Sequence, residues 1–443
     1  MSGSATAIAA AVAAGETSAR AVTEQALDRI AAGNPAINAF TRILSQRALA
    51  EADAVDAGIA RGDNPGPLAG VPYGVKDLFD IAGLPTTAGA AMRRSSPVAS
   101  VDAVAVQRMT RAGAVLVGTL NMDEYAYGFA TDNSHWGITR NPHDHRRLAG
   151  GSSGGSAAAV SSGLVPLALG SDTNGSVRIP AGLCGVHGLK PSHASLPMTG
   201  VFPFADSFDD VGAFAATAAD LALVHAVLAG ATAPVPSLGA LRVARLGGWF
   251  ERNADAAVLA GIAAVAAYLG GSDVVDLPEV ERARAAAFLI TAAEGGNLHL
   301  PALRETPMAF DPATRDRLLA GALQPAAGYI DAQRFRSWFA ERVAAVFDAY
   351  DVLLAPVCTG VAPLIDQPTI EVDGKTVSAR ANLGIYTQPL SFVGLPVVAA
   401  PLRRPGLLPF GIQLIARPGN DALLFAVAAE LEAAGLTGAS PLP

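Results

Sequence analysis

Leu164-Val-Pro-Leu-Ala-Leu-Gly170-Ser-Asp-Thr-Asn-Gly175-Ser176-Val-Arg-Ile-Pro180-Ala181 is the stretch from which the architecture can be built. Its first half is a short apolar run ending in glycine, the pattern of a strand buried on both faces. Its second half is a polar turn at the end of that strand, where α/β sheets place loops that touch ligands. A second turn, Gly150-Gly-Ser152-Ser-Gly-Gly-Ser156-Ala, leads into a helical stretch over 156–162. On either side, strand-like apolar runs occur within 68–80 and at 114–118, 241–246, 352–356 and 396–401. Helical spacing is seen over 5–32, 40–57, 102–113, 254–270 and 312–350. This alternation predicts an α/β protein with a large mixed central β-sheet covered by helices on both faces. Residues 1–62 read as a helical region packed on that sheet, with Gly15-Glu-Thr-Ser as a helix end and a following cap. The stretch 230–240 reads as a surface connection, so one domain over 1–443 is expected.

The composition agrees with a large buried core. Of the 443 residues, 51% are apolar and only 16% charged, below the ~25% of an ordinary soluble domain, which excludes intrinsic disorder. A net charge of −8 without a basic block argues against nucleic acid or an anionic membrane as a partner. The first residues lack a basic stretch before their apolar run, and Asp220 and His225 interrupt the longest apolar candidate for a membrane span. A cytoplasmic location is expected. Two cysteines, Cys184 and Cys358, read as buried thiols.

The two Gly/Ser turns carry the chemistry. Successive backbone N–H groups over Thr173, Asn174, Gly175 and Ser176 can form a concave nest for the oxyanion of acyl transfer. Gly151-Ser-Ser153-Gly-Gly also satisfies the G-x-S-x-G pattern, with Ser153 as nucleophile. That elbow requires a buried strand before it, and Asp144-His-Arg-Arg-Leu-Ala does not look like one. The seven histidines lack zinc-ligand spacing, and none is singled out as a base. Lys76, in Gly74-Val-Lys-Asp-Leu-Phe79, is the alternative base. To be half neutral near pH 7 its pKa must fall by about 3, roughly 4 kcal/mol, which burial among apolar neighbours can supply.

Taken together, Gly70-Val-Pro-Tyr-Gly-Val-Lys76-Asp, Gly150-Gly-Ser152-Ser-Gly-Gly-Ser-Ala and Gly170-Ser-Asp-Thr-Asn-Gly-Ser176-Val-Arg-Ile-Pro-Ala resemble the amidase signature family in order and spacing. The likeness runs from the Gly15-Glu-Thr-Ser helix to Gly411-Ile-Gln-Leu-Ile-Ala. It implies the amidase signature fold over 1–443 and a Ser–cisSer–Lys triad. Ser176 would be the nucleophile, Ser152 the bridging serine after a cis peptide bond, and Lys76 the base. It implies an acyl-enzyme mechanism with no metal and no cofactor. The family usually has two glycines before its nucleophile, and here the first is replaced by Asn174.

That variant, with Thr131-Asp-Asn-Ser-His-Trp-Gly, Asp209-Asp-Val-Gly-Ala-Phe and Asn382-Leu-Gly-Ile-Tyr-Thr-Gln388-Pro, is similar to the 1-carboxybiuret hydrolase branch. The branch implies a small carboxylated urea or amide as substrate, release of ammonia and a small helical subunit like the amidotransferase C subunit; a homo-oligomer is a separate expectation. A carboxylate calls for a guanidinium; Arg315 and Arg317 lie in the region that supplies one in related amidases, with Arg304 and Arg380 as further candidates. Gln388 and Thr131 complete the expected substrate contacts. The alternatives are a broad aliphatic or aryl amidase, the amidase subunit of a glutamine-dependent amidotransferase, or an amidase-like binding subunit. In the amidotransferase, an acidic residue holds the glutamine ammonium; its matching position is Gly384.

Overall fold

The computed structural model describes residues 3–231, 238–439 and 442. The expected connection at 230–240 falls largely on 232–237, outside the described residues. Eleven strands form one sheet: β1 (Phe40–Ile43), β2 (Pro72–Lys76), β3 (Val115–Leu120), β4 (Leu167–Asp172), β5 (His187–Lys190), β6 (Asp210–Ala215), β7 (Val243–Leu246), β8 (Asp273–Val275), β9 (Val352–Pro356), β10 (Val397–Pro401) and β11 (Gly411–Ile415). Their spatial order is β1-β3-β2-β4-β6-β5-β10-β11-β9-β7-β8. β2 runs parallel to β3 and β4. The middle of the sheet from β4 to β9 is antiparallel, and parallel pairing resumes from β9 through β7 to β8. The mixed sheet expected from the sequence is therefore present.

Both faces of the sheet are buried, and the strands show how. Leu116, Leu167 and Leu169 enter one core with the helices Val104–Arg111 and Ala218–Ala229. Their neighbours Val115, Val117 and Ala168 point the other way, into a core shared with Ala19–Ile37, Ser45–Ala60 and Gly154–Ser161. That alternation follows from the period of two along a strand. A third core joins Ile290 and Phe339, of the helices Val280–Glu305 and Ala326–Ala349, to Leu353 and Ile415 of the sheet. The N-terminal helix Ala5–Ala13 is tied down by the buried Asp220 carboxylate, which accepts the Ala5 and Thr6 amides at 2.9 Å each. A carboxylate at a helix N-terminus satisfies otherwise orphaned donors and favours the helix dipole. Among the described residues no helix is long and apolar enough to cross a membrane.

Three local expectations change. Phe40–Ile43 is strand β1, paired antiparallel with β3, and the helix begins only at Ser45; sheet pairing overrides the helical spacing that continues through it. The run 312–350 is two helices, Pro312–Ala322 and Ala326–Ala349, separated at Pro325, which cannot donate into a helix and restricts the residue before it. Asp144–Leu148 does form a strand, though it pairs with Arg140–Asn141, with a single bridge from Arg147 to Leu364, and stays outside the central sheet. The helix Val280–Glu305 was not singled out by the sequence. Gly295-Gly296 at its middle allows close helix packing. A Cβ on Gly296 would collide with the backbone of Gly321 and Ala322.

Candidate active site

The parallel neighbours β2 and β4 end on Lys76 and Asp172, so their carboxyl ends open side by side. The turn Gly150–Ser153 lies across them, with a cis peptide bond between Gly151 and Ser152. Lys76 is 0% exposed. Its Nζ lies 2.7 Å from Ser152 Oγ and 2.9 Å from Ser171 Oγ. Burial pushes its ammonium down to about 7, against the opposing charges of Asp123, Asp209 and Asp172. Desolvation thus supplies the shift that the sequence demanded.

The second turn is built on one carboxylate. Asp172 accepts the Gly175 amide at 2.7 Å and the Val177 amide at 3.1 Å, and pairs with the Arg178 guanidinium at 2.9 and 3.0 Å. Burial alone would raise its pKa, yet the Arg178 charge holds it below the usual carboxylate range. Arg178, fully buried, also donates to Gln413 Oε1, Thr387 O and Ser391 Oγ. Gly175 sits at φ +131°, and a Cβ there would collide with the Thr387 hydroxyl; only glycine fits. The Gly175 amide, expected in the oxyanion nest, is instead committed to Asp172. The amides of Thr173, Asn174 and Ser176 carry no hydrogen bond among the described residues. Thr173 Oγ1 donates to Asp209 at 2.5 Å, and burial raises the Asp209 carboxyl to about 6.

Beside this turn lies a narrow cavity of about 20 Å³, lined by Ser176, Thr173, Asn174, Tyr127, Phe288, Arg317 and Gln388 among others. The Ser176 hydroxyl makes no hydrogen bond among the described residues, to Ser152 or to any other group. The Arg317 guanidinium carbon lies 3.7 Å from the centre of the Tyr127 ring, and its Nη1 donates to the Tyr127 carbonyl at 3.0 Å. No carboxylate pairs with it among the described residues. Gln388 Oε1 accepts from Arg284 Nε at 3.0 Å, so a second guanidinium stands behind the cavity wall.

Other expected residues are elsewhere. Arg315 does not line the cavity; its guanidinium is turned to Asp316 at 2.8 Å and to the Met308 sulfur, because two positions along a helix point to different faces. Thr131 does not line it either. Its hydroxyl accepts the Gly154 amide at 2.9 Å and braces the turn that carries Ser152. Arg304 is exposed, and Arg380 donates to the Asp132 carbonyl. Ser153 Oγ donates to the Ser171 carbonyl at 3.1 Å, away from the cavity lining, and no histidine lines the cavity. Ser171, Tyr127, Phe288 and Thr291 were missed by the sequence reading. The last two sit on the helix Val280–Glu305, which the sequence reading did not assign, and adjacency to Asp172 is the signal that could have flagged Ser171.

A family model described as Amidase matches residues 21–425. The chain is 50% identical to AtzE, a component of the 1-carboxybiuret hydrolase of Pseudomonas sp. (strain ADP), covering 96% of this chain and 97% of that protein. It is 37% identical to the A component of the glutamyl-tRNA(Gln) amidotransferase of Acidothermus cellulolyticus, over 96% and 93%. It superposes with a TM-score of 0.95 and 48% identity on a solved structure described as an unexpected vestigial protein complex that reveals the evolutionary origins of an s-triazine catabolic enzyme, with inhibitor bound. There 99% of this chain and 100% of that one are covered. With the buried lysine, the two serine turns and this likeness across nearly its whole length, the chain belongs to the amidase family, hydrolases that act on C–N bonds.

Proposed function

We propose that the chain hydrolyses the terminal amide of a small carboxylated urea or amide, 1-carboxybiuret or a close analogue, and releases ammonia. One observation carries this: a fully buried, depressed-pKa lysine bonded to Ser152, beside a cavity that joins Ser176 to a guanidinium without a carboxylate. In its neutral form Lys76 donates to Ser171 Oγ and uses its lone pair to accept the Ser152 proton. Ser152 in turn takes the proton of Ser176, which attacks the amide carbonyl. The Ser152–Ser176 hydrogen bond closes when substrate binds, as catalytic hydrogen bonds commonly tighten in the Michaelis complex. The Thr173, Asn174 and Ser176 amides receive the oxyanion. The proton returns through Ser152 to the leaving nitrogen, and water then releases the acyl group.

Arg317 is the residue for the substrate carboxylate, since a part-buried guanidinium on the cavity wall that has no carboxylate among the described residues is free to pair with one. Glutamine is disfavoured as substrate. A side chain at Gly384 would meet the Phe129 ring at 2.7 Å, which leaves no room for an acid to hold its ammonium. The whole chain acts as one amidase unit in the cytoplasm, as a homo-oligomer joined by a small helical partner subunit. Description of the similar solved structure as a protein complex supports that partner. Labelling with a fluorophosphonate followed by peptide mapping tests the mechanism. Ser176 is expected to carry the label, and label on Ser153 would overturn the assignment.

A further inference from the structure

We infer that Asn174 is a specificity-determining residue whose side-chain oxygen accepts an N–H from the substrate atom next to the scissile carbonyl. This rests on the acyl-transfer reading above and extends it from the reacting amide to the group beside it. Asn174 stands two residues before Ser176 and lines the same cavity. Its Nδ2 donates to Thr291 Oγ1 at 3.2 Å. The Thr291 hydroxyl proton is itself committed to the Ala287 carbonyl at 3.0 Å, one turn back along its helix. Thr291 therefore faces Asn174 as an acceptor, and the amide can lie only with its nitrogen toward Thr291 and its oxygen away from it. That oxygen is buried and has no donor among the described residues. A buried acceptor without a donor is destabilising in the empty protein. Asn174 lines the cavity, so a ligand bound there can supply the donor.

The chemistry of that donor is constrained. An amide oxygen only accepts, so it rewards N–H and gives nothing to a methylene in the same place. A ureido substrate, in which nitrogen follows the scissile carbonyl, satisfies it; a malonyl substrate, in which CH2 follows, leaves it orphaned. Sites built to bond a polar group discriminate against analogues lacking it, because the protein's own buried group is then left unpaired. Arg317 and Asn174 divide the task. The guanidinium reads the terminal charge, and the amide oxygen reads the atom between that terminus and the carbonyl.

Four small compounds separate the two tasks: allophanate, biuret, malonamate and malonamide. Allophanate and malonamate end in a carboxylate, whereas biuret and malonamide end in a second amide. The first member of each of the pairs allophanate/malonamate and biuret/malonamide has N–H where the second has CH2. With the full-length enzyme, kcat/KM is measured for each by ammonia release. For a compound that is not turned over, its inhibition constant against 1-carboxybiuret is used. Because ureas and amides differ in intrinsic reactivity, the quantity that matters is the change in the N–H/CH2 ratio on mutation. Asn174→Ala is expected to lower that ratio by about tenfold, the worth of one neutral hydrogen bond, in both pairs. The carboxylate/amide ratio should stay as it was. Thr291→Val, which frees the amide to turn, is expected to lower the N–H/CH2 ratio in the same direction. A ratio unchanged in Asn174→Ala, or an equal loss on all four compounds, overturns the assignment and makes Asn174 a shaping residue of the loop. Loss of the carboxylate/amide preference in Arg317→Gln, with the N–H/CH2 ratio intact, reports on the carboxylate site alone. Failure of either assignment is thus visible without the other.

Discussion

Lys76 Nζ stands 2.7 Å from Ser152 Oγ at the carboxyl ends of two parallel strands, in a place with no solvent exposure. A lysine there can be a base, because burial has brought its ammonium down to about 7.

The pH dependence follows in sign. The proposed mechanism requires the neutral amine, so kcat/KM for a neutral amide should rise tenfold per pH unit below about 7 and level above it. Lys76→Ala should lower kcat/KM by about 10²–10⁴-fold and remove that limb. The same group links to stability. In the unfolded chain lysine stays protonated up to about 10.4, so between about 7 and 10.4 the unfolded state binds the extra proton and stability rises with pH. Denaturation of Lys76→Met across that window should show a flatter slope.

Arg178 holds the nucleophile loop through Asp172, and both side chains are fully buried. Removing one partner strands the other charge. Arg178→Met should lower unfolding free energy by about 3–5 kcal/mol in urea titration. Activity should fall further than stability accounts for, since Asp172 also orients the Gly175 and Val177 amides.

The two arginines of the helix Pro312–Ala322 should behave differently. Arg317→Gln should raise KM for a carboxylated substrate by about 10–100-fold, as expected for a lost charged hydrogen bond, with little effect on a neutral amide. Arg315→Gln should leave both within about twofold, since its guanidinium faces Asp316.

Neither thiol should react in the folded enzyme. Cys184 and Cys358 are buried, and burial raises both well above the ordinary thiol range. Iodoacetamide at pH 8 should alkylate neither until denaturant is added, because the thiolate is the nucleophile. Rapid labelling of either in native buffer would show an opening that the fold does not contain.

Much of this site is readable along the chain because its chemistry is local. The turns at 150–155 and 170–176 each hold their glycines and serines in one short stretch, and the apolar runs of β2 and β4 announce where those turns must sit. What was misread follows one pattern. Phe40–Ile43 keeps helical spacing yet is drawn into the sheet by β3. The helix Val280–Glu305 went unassigned, and its Gly295-Gly296 pair serves close packing against the helix Pro312–Ala322. Arg315 and Arg317 look equivalent in sequence, and only the rotation of that helix turns one toward the cavity.

The chain's order of residues was enough to define the α/β class, the buried core, and the lysine and two serine turns. Those depend on composition, periodicity and backbone chemistry close by in sequence. The distance from Lys76 to Ser152 and Ser171, the capture of the Gly175 amide by Asp172, and the unpaired Asn174 oxygen were decided only in three dimensions. Each joins or leaves unjoined groups whose meeting depends on strand order and helix rotation. Burial depth, which lowers the Lys76 ammonium to about 7, is a property of packing and not of any segment alone.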